Sequence, residues 1–421
     1  MSPPLKVLIS GGGIAGNALA FWLSKLGYDI TIVEWFPTLR ASGLQLDLRG
    51  RGITVMKRMG IEEEFRAKSA PEQGLQFVNS SGKLLAQFQS GNDSGKGLQN
   101  FTTDYEIMRG DLCRIIYNAT KSRTKYLFGT SIEHLEDKGA SVEVLFRNGQ
   151  TDVFDLVIGA DGQRSRTRKM MLGSQSIDPF VPLSGMHVAY FTTPMPIKKG
   201  EDFNATAYIA TNTRAVILRR QNPDYMQIYL MCKSKSNEFR EVQQSGVEKQ
   251  KEAMTKIFRG AGWQTDSILE SMMKADDFYF EKLGLVKQSF WSQGRIALVG
   301  DAAYCPSSFT GMGTTSAIVG AYILAGEISR HCGSEGSEDG LQMALKSYET
   351  QFRPFIEQVQ EGVSGDSFPY NLWPTTAFGI TIFNWLIWLL AFLKVNVFGE
   401  WLLKENVKEW KLPHYNELLE G

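Results

Sequence analysis

Apolar residues near the start of the chain fall into a strand, a helix and a second strand. Lys6–Ser10 is a short apolar run typical of a buried strand, and a glycine-rich break at Gly11–Gly16 follows it. Apolar residues then recur at helical spacing in Asn17–Leu26, and Gly27 is the residue type that commonly ends a helix. Ile30–Glu34 is the second strand. This order predicts a βαβ unit, whose parallel strands belong to a doubly wound sheet.

Later apolar runs have the pattern of further strands in the same sheet. Strand-like stretches in Leu127–Phe146 lead to Asp155–Asp161, a buried strand that ends in a glycine-rich turn. Arg295–Asp301 is another such strand. A loop of small residues follows at Ala302–Gly313, and Thr314–Ile328 has helical spacing. We therefore predict that distant parts of the chain return to one nucleotide-binding domain.

The pattern changes between residues 180 and 285, where β-rich runs alternate with turn residues. This texture predicts an antiparallel sheet that is inserted into the nucleotide-binding domain, and Leu75–Phe88 is expected to add strands to it. The β-rich runs are His187–Thr192, Ala205–Ala210, Ala215–Arg219 and Met226–Cys232.

Near the C-terminus, Ala377–Leu393 carries no charged residue. Its length is near the lower limit for a membrane span, and Gly379, Thr381 and Asn384 weaken that interpretation. A helix that is apolar all round is either a core element or a membrane element. We therefore predict a helix that packs on the protein or lies at a membrane surface, with a true span as the less favoured alternative.

Composition narrows the class of protein. A chain of 421 residues predicts two or three structural units, and an apolar fraction of 43% is enough for a large core. The 45 basic and 45 acidic residues balance, so no global charge favours nucleic acid as a partner. Four scattered cysteines without a CxxC or zinc-like cluster predict a reduced, cytoplasmic protein with no metal site. The N-terminus lacks the pattern of a secretory signal.

The glycine-rich break has the spacing of a dinucleotide-binding loop, Gly11-x-Gly13-x-x-Gly16. Gly11 permits the tight turn, Gly13 lets the backbone approach a pyrophosphate, and Gly16 lets the helix pack closely on the sheet. The pyrophosphate is expected at the N–H groups of the helix N-terminus, where Ile14 and Ala15 lie.

Glu34, at the end of the second strand, can accept hydrogen bonds from ribose hydroxyls and would repel a 2′-phosphate. These features predict a bound FAD or NAD rather than NADP. The motif alone does not separate FAD from NAD.

Two further motifs favour FAD. Gly159-Ala160-Asp161-Gly162 ends one strand, and Gly300-Asp301-Ala302-Ala303 ends another. A carboxylate after a strand can bind a polyol such as the ribityl chain, although a helix N-cap is the structural alternative for Asp301. Gly311-x-Gly313-Thr314 then opens a helix, whose N–H groups can face the flavin pyrimidine edge, which becomes negative on reduction.

These motifs, in this order, resemble the single-component FAD-dependent hydroxylases related to para-hydroxybenzoate hydroxylase. Within that family the chain is most similar to the tetracycline destructases and related flavin monooxygenases of secondary metabolism. The closer resemblance lies in Leu46-Asp47-Leu48-Arg49-Gly50, in Arg109-Gly110-Asp111-Leu112 and in Gly300-Asp301-Ala302-Ala303-Tyr304-Cys305-Pro306. It implies an α/β fold: a Rossmann-like FAD-binding domain with an inserted antiparallel β-sheet substrate domain and a C-terminal helix.

The resemblance also implies roles for individual residues. Four residues would bind the ADP half of FAD: Gly11, Gly13, Gly16 and Glu34. Arg40 and Asp47 would lie by the flavin, and Arg109 would reach the FAD backbone. Asp161 would belong to a motif linked to both FAD and NAD(P)H, and Asp301 would hold the ribitol. The chain departs from the family at Tyr304, Ser308 and Thr315, where His, Pro and Asn are usual.

The chemistry that the resemblance implies is oxygenation: NAD(P)H reduces FAD, and reduced FAD with O2 gives an electrophilic C4a-hydroperoxide. The predicted function is hydroxylation of an aromatic, phenolic or polyketide-like hydrophobic small molecule. An epoxidase or Baeyer–Villiger-type monooxygenase is the alternative, and a halogenase, a reductase and a non-enzymatic flavin-binding protein are less favoured. Without a second GxGxxG, NAD(P)H is expected to bind transiently, and the preference between NADH and NADPH stays open.

No catalytic base is identified from the sequence. Candidate substrate contacts are His187, Tyr190, Arg219 and Phe309, with a structural role as the alternative for each. The predicted boundaries are residues 1–74, 101–179 and 285–360 for the FAD-binding domain, 75–100 and 180–284 for the substrate domain, and 361–421 for a C-terminal helical bridge. The aromatic residues of the bridge are expected either to line a substrate channel or to pack between domains: Phe378, Phe383, Trp385, Trp388 and Phe392.

Overall fold

The computed structural model describes residues 4–40, 43–89, 105–173, 176–234, 239, 241–242, 245–332, 338–363, 374–393, 407 and 409–420. The strands are, in chain order, β1 Lys6–Ser10, β2 Asp29–Glu34, β3 Gln45–Asp47, β4 Gly74–Val78, β5 Leu84–Gln89, β6 Glu106–Met108, β7 Lys125–Phe128, β8 Ile132–Asp137, β9 Val142–Phe146, β10 Thr151–Phe154, β11 Leu156–Gly159, β12 Phe180–Pro194, β13 Asn204–Ala210, β14 Arg214–Arg220, β15 Tyr225–Lys233, β16 Tyr279–Val286, β17 Ser292–Gln293 and β18 Ile296–Leu298.

The helices are α1 Ile14–Lys25, α2 Arg51–Arg58, α3 Glu62–Arg66, α4 Arg109–Thr120, α5 Arg166–Leu172, α6 Val247–Phe258, α7 Thr265–Lys274, α8 Asp301–Tyr304, α9 Gly313–Cys332, α10 Glu338–Gln360, α11 Ala377–Phe392 and α12 Asn416–Leu419, with a short 3-10 helix at Ser308–Thr310. The fold is of the predicted α/β class.

The sheet of the FAD-binding domain has six strands in the order β17-β18-β11-β1-β2-β7. All its pairs are parallel except β17 with β18, so the predicted doubly wound arrangement is confirmed. Helix α1 begins at Ile14 rather than at the predicted Asn17, because Gly13 is the N-cap residue and the helix starts inside the glycine motif.

The inserted sheet has seven strands in the order β16-β12-β15-β14-β13-β4-β5. Strands β4 and β5 join it as the sequence predicts. The pair β13–β4 is parallel, whereas the sequence predicted an antiparallel sheet throughout. The difference arises because β4 comes from a distant part of the chain, so no hairpin fixes its direction relative to β13.

The two faces of the inserted sheet meet different partners. The outer face packs on α6 and α7, which the sequence analysis did not predict, through residues such as Phe191 and Leu218. The inner face points toward the FAD-binding domain, since Gln227 on it donates to Gly43 O at 2.9 Å. The inner face comprises Val188, Tyr190, Ile209, Ile217 and Met231, and Phe309, Ile380 and Phe383 pack against it.

The C-terminal part of the chain touches both domains. Helix α11 packs on β4 and β5 through Phe383 and Ile387. Tyr415 packs against α9, where its hydroxyl donates to Glu327 Oε1 at 2.6 Å. Of the helices in the described ranges, none is both long enough and apolar enough to cross a membrane.

Candidate active site

The glycine motif forms a tight turn at the carboxyl end of β1. Gly11 has φ of +115°, and a Cβ there would lie 2.6 Å from Ala160 O, so only glycine fits. A Cβ on Gly16 would overlap Gly11 O, which explains the close approach of α1 to the loop. Asn17 Nδ2 donates to Gly12 O at 2.6 Å and to Gly13 O at 2.9 Å. The sequence analysis missed Asn17, which holds the turn in shape.

Glu34 lies beside this turn, as its predicted role requires. Its Oε2 accepts a hydrogen bond from Gly12 N at 2.8 Å, and its Oε1 accepts one from Phe36 N at 3.0 Å. Each carboxylate oxygen keeps a second lone pair, so the group can also accept hydrogen bonds from a diol. Glu34 therefore holds the glycine turn in place, and its carboxylate can still accept hydrogen bonds from a diol bound beside that turn.

Arg109 reaches the glycine turn from the start of α4. Its Nη2 lies 3.5 Å from the position that a Cβ of Gly13 would take. Its Nη1 is buried and has no hydrogen-bond partner among the residues that the structure describes. A buried guanidinium donor that faces a helix N-terminus across a glycine is suited to bind an anionic group such as a pyrophosphate.

Asp301 begins α8 close to Arg109. Gly300, with φ of +66°, is the N-cap residue of that helix, and no side-chain capping bond is formed, so the N-cap alternative for Asp301 does not hold. Burial raises the pKa of Asp301, and the positive charge of Arg109 opposes that rise. The Asp301 carboxyl is half-buried and interacts with Cys305, and its further lone pairs can accept a hydrogen bond from a ribityl hydroxyl.

The N-terminus of α9 opens toward the same region. Gly311 has φ of +63°, which reverses the chain before the helix. A Cβ on Gly313 would meet no atom within 4 Å, so the helix begins beside open space, while Thr314 next to it is buried. Free N–H groups at this end give the helix a positive terminus.

A sequence profile described as an FAD binding domain matches residues 4–363 of the chain. The FAD-dependent monooxygenase asL4 of Sarocladium schorii is 47% identical over 427 residues, covering 99% of both chains. Its relative asL6 from the same organism is 37% identical over 432 residues, covering 98% of this chain and 99% of asL6. The chain belongs to the FAD-dependent monooxygenases.

The solved structure of tetracycline destructase Tet(51) is similar over 98% of this chain and all of the other, with a TM-score of 0.77 and 27% identity. The resemblance inferred from the motifs is thereby confirmed. FAD fits the residues present, because Arg109 offers a buried Nη1 donor beside Gly13. A Cβ on Gly300 would lie 2.7 Å from Ala15 of α1 and 3.8 Å from Ala317 of α9, so the Gly300–Asp301 turn lies between these two helices.

Asp161 of this monooxygenase binds the first turn of α5. Its Oδ2 accepts hydrogen bonds from Arg166 N at 2.9 Å, from Thr167 N at 3.0 Å and from Thr167 Oγ1 at 3.0 Å, and its Oδ1 accepts one from Ser165 Oγ. The carboxylate therefore caps α5. Its Oδ1 accepts one hydrogen bond and keeps a second lone pair, so the predicted link of this motif to FAD and NAD(P)H stays a prediction.

Asp47 forms an ion pair with Arg49, at 2.6 Å between Asp47 Oδ2 and Arg49 Nη2. The Arg49 side chain is almost fully buried, which is unusual for arginine and contrasts with the surface position that its sequence context alone suggests. The pair follows β3, and the backbone of Arg49 binds Thr315 near the start of α9. Asp47 is thereby held next to the start of α9.

Arg219, predicted as a substrate contact, forms ion pairs with two carboxylates. Its guanidinium makes two bonds of 2.8 Å to Glu72 and one of 2.6 Å to Glu106 Oε2. Burial, followed by the charge of Asp47, raises the pKa of Glu106, and Arg219 opposes this. Arg219 therefore ties the inserted sheet to β6, and a substrate would have to displace a buried ion pair to reach it.

His187 and Tyr190 lie on opposite faces of the inserted sheet. His187 stacks on Phe280 in the outer-face core, with ring centroids 5.6 Å apart and planes 3° apart. Burial lowers its pKa to about 4. The prediction that His187 faces the substrate is wrong, because strand side chains alternate and His187 is three residues from Tyr190. Tyr190 and Phe309 both pack against the inner-face cluster.

Arg40 connects the inner face with the cofactor side. Its guanidinium lies over the rings of Tyr279, at 4.9 Å, and Phe36, at 5.2 Å. It shares a cleft with Tyr190 and Gln227 of the inner face and with Leu44. The structure therefore brings Arg40 and Tyr190 together in one cleft.

The departures from the family have local explanations. Tyr304 is buried, and its hydroxyl lies 3.1 Å from that of Tyr348, so the ring fills space between α8 and α10. Ser308 is exposed and starts the 3-10 helix. Thr315 contacts the backbone of Arg49. None of the three removes a glycine or an acid of the cofactor motifs.

Most aromatic residues of α11 do not line a channel. Phe383 packs inward, but the others are exposed, with Phe378 at 75%, Trp385 at 58% and Phe392 at 70% of their possible surface. Neither predicted alternative, a channel lining or packing between domains, describes these exposed rings. A helix that rests on a sheet by one narrow stripe leaves its other sides in solvent.

Proposed function

We propose that this FAD-dependent monooxygenase uses NAD(P)H and O2 to hydroxylate an aromatic, phenolic or polyketide-like small molecule. Bound FAD supplies the redox chemistry, carrying electrons from the reductant to O2 so that one oxygen atom can reach the substrate. The observation that carries the proposal is the position of Tyr190, which lies between an apolar face and the Arg40–Arg109 side of the site.

The inner face supplies what an oxygenation site needs from the protein. Its apolar part comprises Val188, Ile209, Ile217 and Met231, and Phe309 packs against it. Gln227, Glu281 and tyrosines add polar groups to the same face. Such a surface excludes water and can hold a flat hydrophobic ring system against the reacting centre. The similarity to a tetracycline destructase supports a substrate of polyketide type, since tetracycline is a polycyclic phenol and enol.

The reductant is proposed to bind only transiently. The sequence carries one GxGxxG motif, and Gly11, Gly13 and Glu34 form the FAD site, so no second dinucleotide loop of that kind is present for a nicotinamide cofactor. Arg40 lies in an open cleft and offers a cation to a passing phosphate. NADH and NADPH are both compatible with this arrangement.

The test is a screen of polyphenols and polyketides with the purified yellow protein. We expect certain compounds to stimulate NAD(P)H oxidation and O2 uptake together, with a product heavier by one oxygen atom in mass spectrometry. Characterisation by NMR separates a new hydroxyl from an epoxide or from a ring-expanded ester, the products of the alternative epoxidase and Baeyer–Villiger reactions. Oxidation of NAD(P)H that no compound stimulates would contradict a monooxygenase function.

For its location, we propose the cytoplasm with attachment to a membrane surface through residues 377–393. The four cysteines are buried and free, which suits a reducing compartment. Helix α11 carries no charge and exposes Trp385 and Trp388, the residue type that favours the lipid–water interface. A hydrophobic substrate concentrated in a membrane would then lie close to the inner face.

A further inference from the structure

Strands β12 and β16 carry a tyrosine and a glutamate on the inner face that the sequence analysis did not connect. In the antiparallel register, Val188 is opposite Glu281 and Tyr190 is opposite Tyr279. Val188 and Tyr190 belong to the inner-face cluster, and side chains directly opposite each other share one face of a sheet. Glu281 therefore points to the same space as Tyr190.

Glu281 is surrounded by charged groups from several elements. Asp301 approaches it from α8, Arg164 from the turn before α5, and Arg40 from the segment after β2, while Tyr190 acts as its hydrogen-bond partner. Burial is the largest influence, and with the charge of Asp301 it raises the pKa of Glu281 to about 7, against the opposing effects of the arginines and Tyr190. Near neutral pH, the carboxyl can therefore both lose and accept a proton.

Tyr190 stands between this carboxyl and the space proposed for substrate. Its ring contacts the cluster that contains Phe309 and Ile217, and its hydroxyl interacts with Glu281. Burial, followed by the charge of Glu281, raises the pKa of Tyr190 well above its usual range. Tyr190 is therefore a neutral phenol that can pass a proton on but does not hold a negative charge for long.

We propose that Glu281 is the terminal acceptor for the hydroxyl proton of the substrate, which reaches it through Tyr190. The proposal rests on the proposed hydroxylation of a phenol or enol. The substrate O–H gives its proton to the Tyr190 oxygen as Tyr190 passes its own proton to the Glu281 carboxylate. One O–H bond breaks on the substrate, one forms on Glu281, and no electrons leave either group.

The product of this step is a phenolate or enolate, whose ring carbon is richer in electrons and attacks an electrophilic oxygen more readily. In this arrangement Tyr190 is the residue in contact with substrate, and Glu281 acts through it. Asp301 contributes by keeping the pKa of Glu281 high enough for the carboxylate to be a useful base.

The first experiment needs no substrate. The visible spectrum of bound FAD is recorded between pH 5 and 9 for the wild type, Glu281→Gln, Tyr190→Phe and Glu270→Gln. Glu270 is an exposed glutamate on α7, behind the outer face, and serves as the matched control. We expect a titration near pH 7 in the wild type and in Glu270→Gln, its loss in Glu281→Gln, and a higher midpoint in Tyr190→Phe.

The midpoint rises in Tyr190→Phe because the hydrogen bond from Tyr190 lowers the pKa of Glu281. A wild-type titration that persists unchanged in Glu281→Gln overturns the proposal, since another group would then be responsible. The absence of any titration in the wild type also overturns it.

The second experiment uses a phenol or enol that the wild type oxygenates. At pH 7 we expect Glu281→Gln to form at least about tenfold less product per NAD(P)H consumed, with unchanged flavin content and flavin reduction rate. At pH 9 the loss should shrink, because water can then remove the phenolic proton. If the wild type oxygenates no phenol or enol, the proposed function fails and this proposal with it; if Glu281→Gln matches the wild type at both pH values, this proposal alone fails.

Discussion

The hydroxyl of Thr315 accepts a hydrogen bond from Arg49 N at 2.9 Å and donates one to Arg49 O at 3.2 Å. Both residues are buried, so these bonds join α9 to the segment after β3 away from solvent. We expect Thr315→Val, which keeps the shape of the side chain, to lower the free energy of unfolding by about 1–3 kcal/mol. Urea denaturation of the FAD-free protein measures this.

The control for this prediction is Thr350→Val, since Thr350 is exposed on α10 and bonds only to Lys346 O of its own helix. It should change the unfolding free energy by less than about 0.5 kcal/mol. Equal effects of the two substitutions would show that the contact with Arg49 contributes nothing specific.

A substitution at Gly13 is expected to weaken FAD binding without preventing folding. Its backbone has φ of −77° and ψ of −168°, which alanine adopts readily, and a Cβ there would come no closer than 3.5 Å to Arg109 Nη2. We therefore expect Gly13→Ala to fold normally without FAD. It should nevertheless bind FAD at least about tenfold more weakly, because the methyl group would lie where the pyrophosphate approaches the backbone. Calorimetric titration with FAD gives the affinity.

Gly246→Ala is a matched control, because Gly246 is also the N-cap residue of a helix, with φ of −65° and ψ of 162°, and has nothing within 4 Å of its Cβ position. It should bind FAD as the wild type does. Normal FAD affinity in Gly13→Ala would mean that the cofactor does not pass over this loop.

Asp301 is expected to hold the ribityl chain. Asp301→Ala should purify largely colourless, because the hydrogen-bond acceptor for the polyol is lost next to Gly300, within the electrostatic influence of Arg109. The measurement is the ratio of flavin to protein absorbance. Asp276→Ala, at an exposed aspartate that lies outside the site, should keep its full flavin content. A yellow Asp301→Ala protein would refute the assignment.

The cofactor motifs could be predicted from sequence because their geometry is local. Gly11 and Gly16 act within one turn, so residue type and spacing are sufficient. The fate of Arg219 could not be predicted in this way, because its partners Glu72 and Glu106 are 147 and 113 residues away in sequence. Period-two alternation within β12 would have placed His187 and Tyr190 on opposite faces, a signal that was present but not used.

Glu281 escaped the sequence analysis for a related reason. It stands in a strand between Phe280 and Lys282, where nothing in the local pattern distinguishes it from a solvated glutamate. Its environment depends on Asp301, Arg164 and Arg40, which come from three separate parts of the chain. Strand pairing and burial together are needed to recognise such a group, and they exist only in the folded protein.

His187 makes the stability of the protein depend on pH. Its pKa is lowered from 6.5 to about 4 in the fold, so the unfolded chain binds a proton more readily than the native one between these values. Stability should therefore fall as the pH drops from 6.5 toward 4, on the order of 3 kcal/mol from this residue. The free energy of unfolding, measured by urea denaturation at several pH values, should change less with pH in His187→Phe than in the wild type. His134→Phe, at an exposed histidine, should keep the pH dependence of the wild type. The same pH dependence of the unfolding free energy in all three proteins would contradict the prediction.

Helix α11 is expected to bind lipid through its exposed aromatic residues. Trp385 and Trp388 are 58% and 46% exposed on a helix that carries no charge. Sedimentation with vesicles of zwitterionic phospholipid should carry the wild type down. The double variant Trp385→Ser/Trp388→Ser should bind the vesicles at least about tenfold more weakly, because the apolar area of two indoles no longer enters the lipid interface. Salt should change the binding little, since the helix offers no charge.

Trp35→Ser provides the control, because Trp35 is 60% exposed but lies after β2, far from α11 in sequence. It should sediment with vesicles as the wild type does, which would show that exposure of one indole is not sufficient. A second copy of the chain is the competing occupant of this surface, and analytical ultracentrifugation without lipid detects it. The membrane proposal would be overturned if the wild type formed dimers and did not bind vesicles, while the double variant was monomeric. Helix α11 would then serve self-association, with the same indoles buried between two copies of the chain.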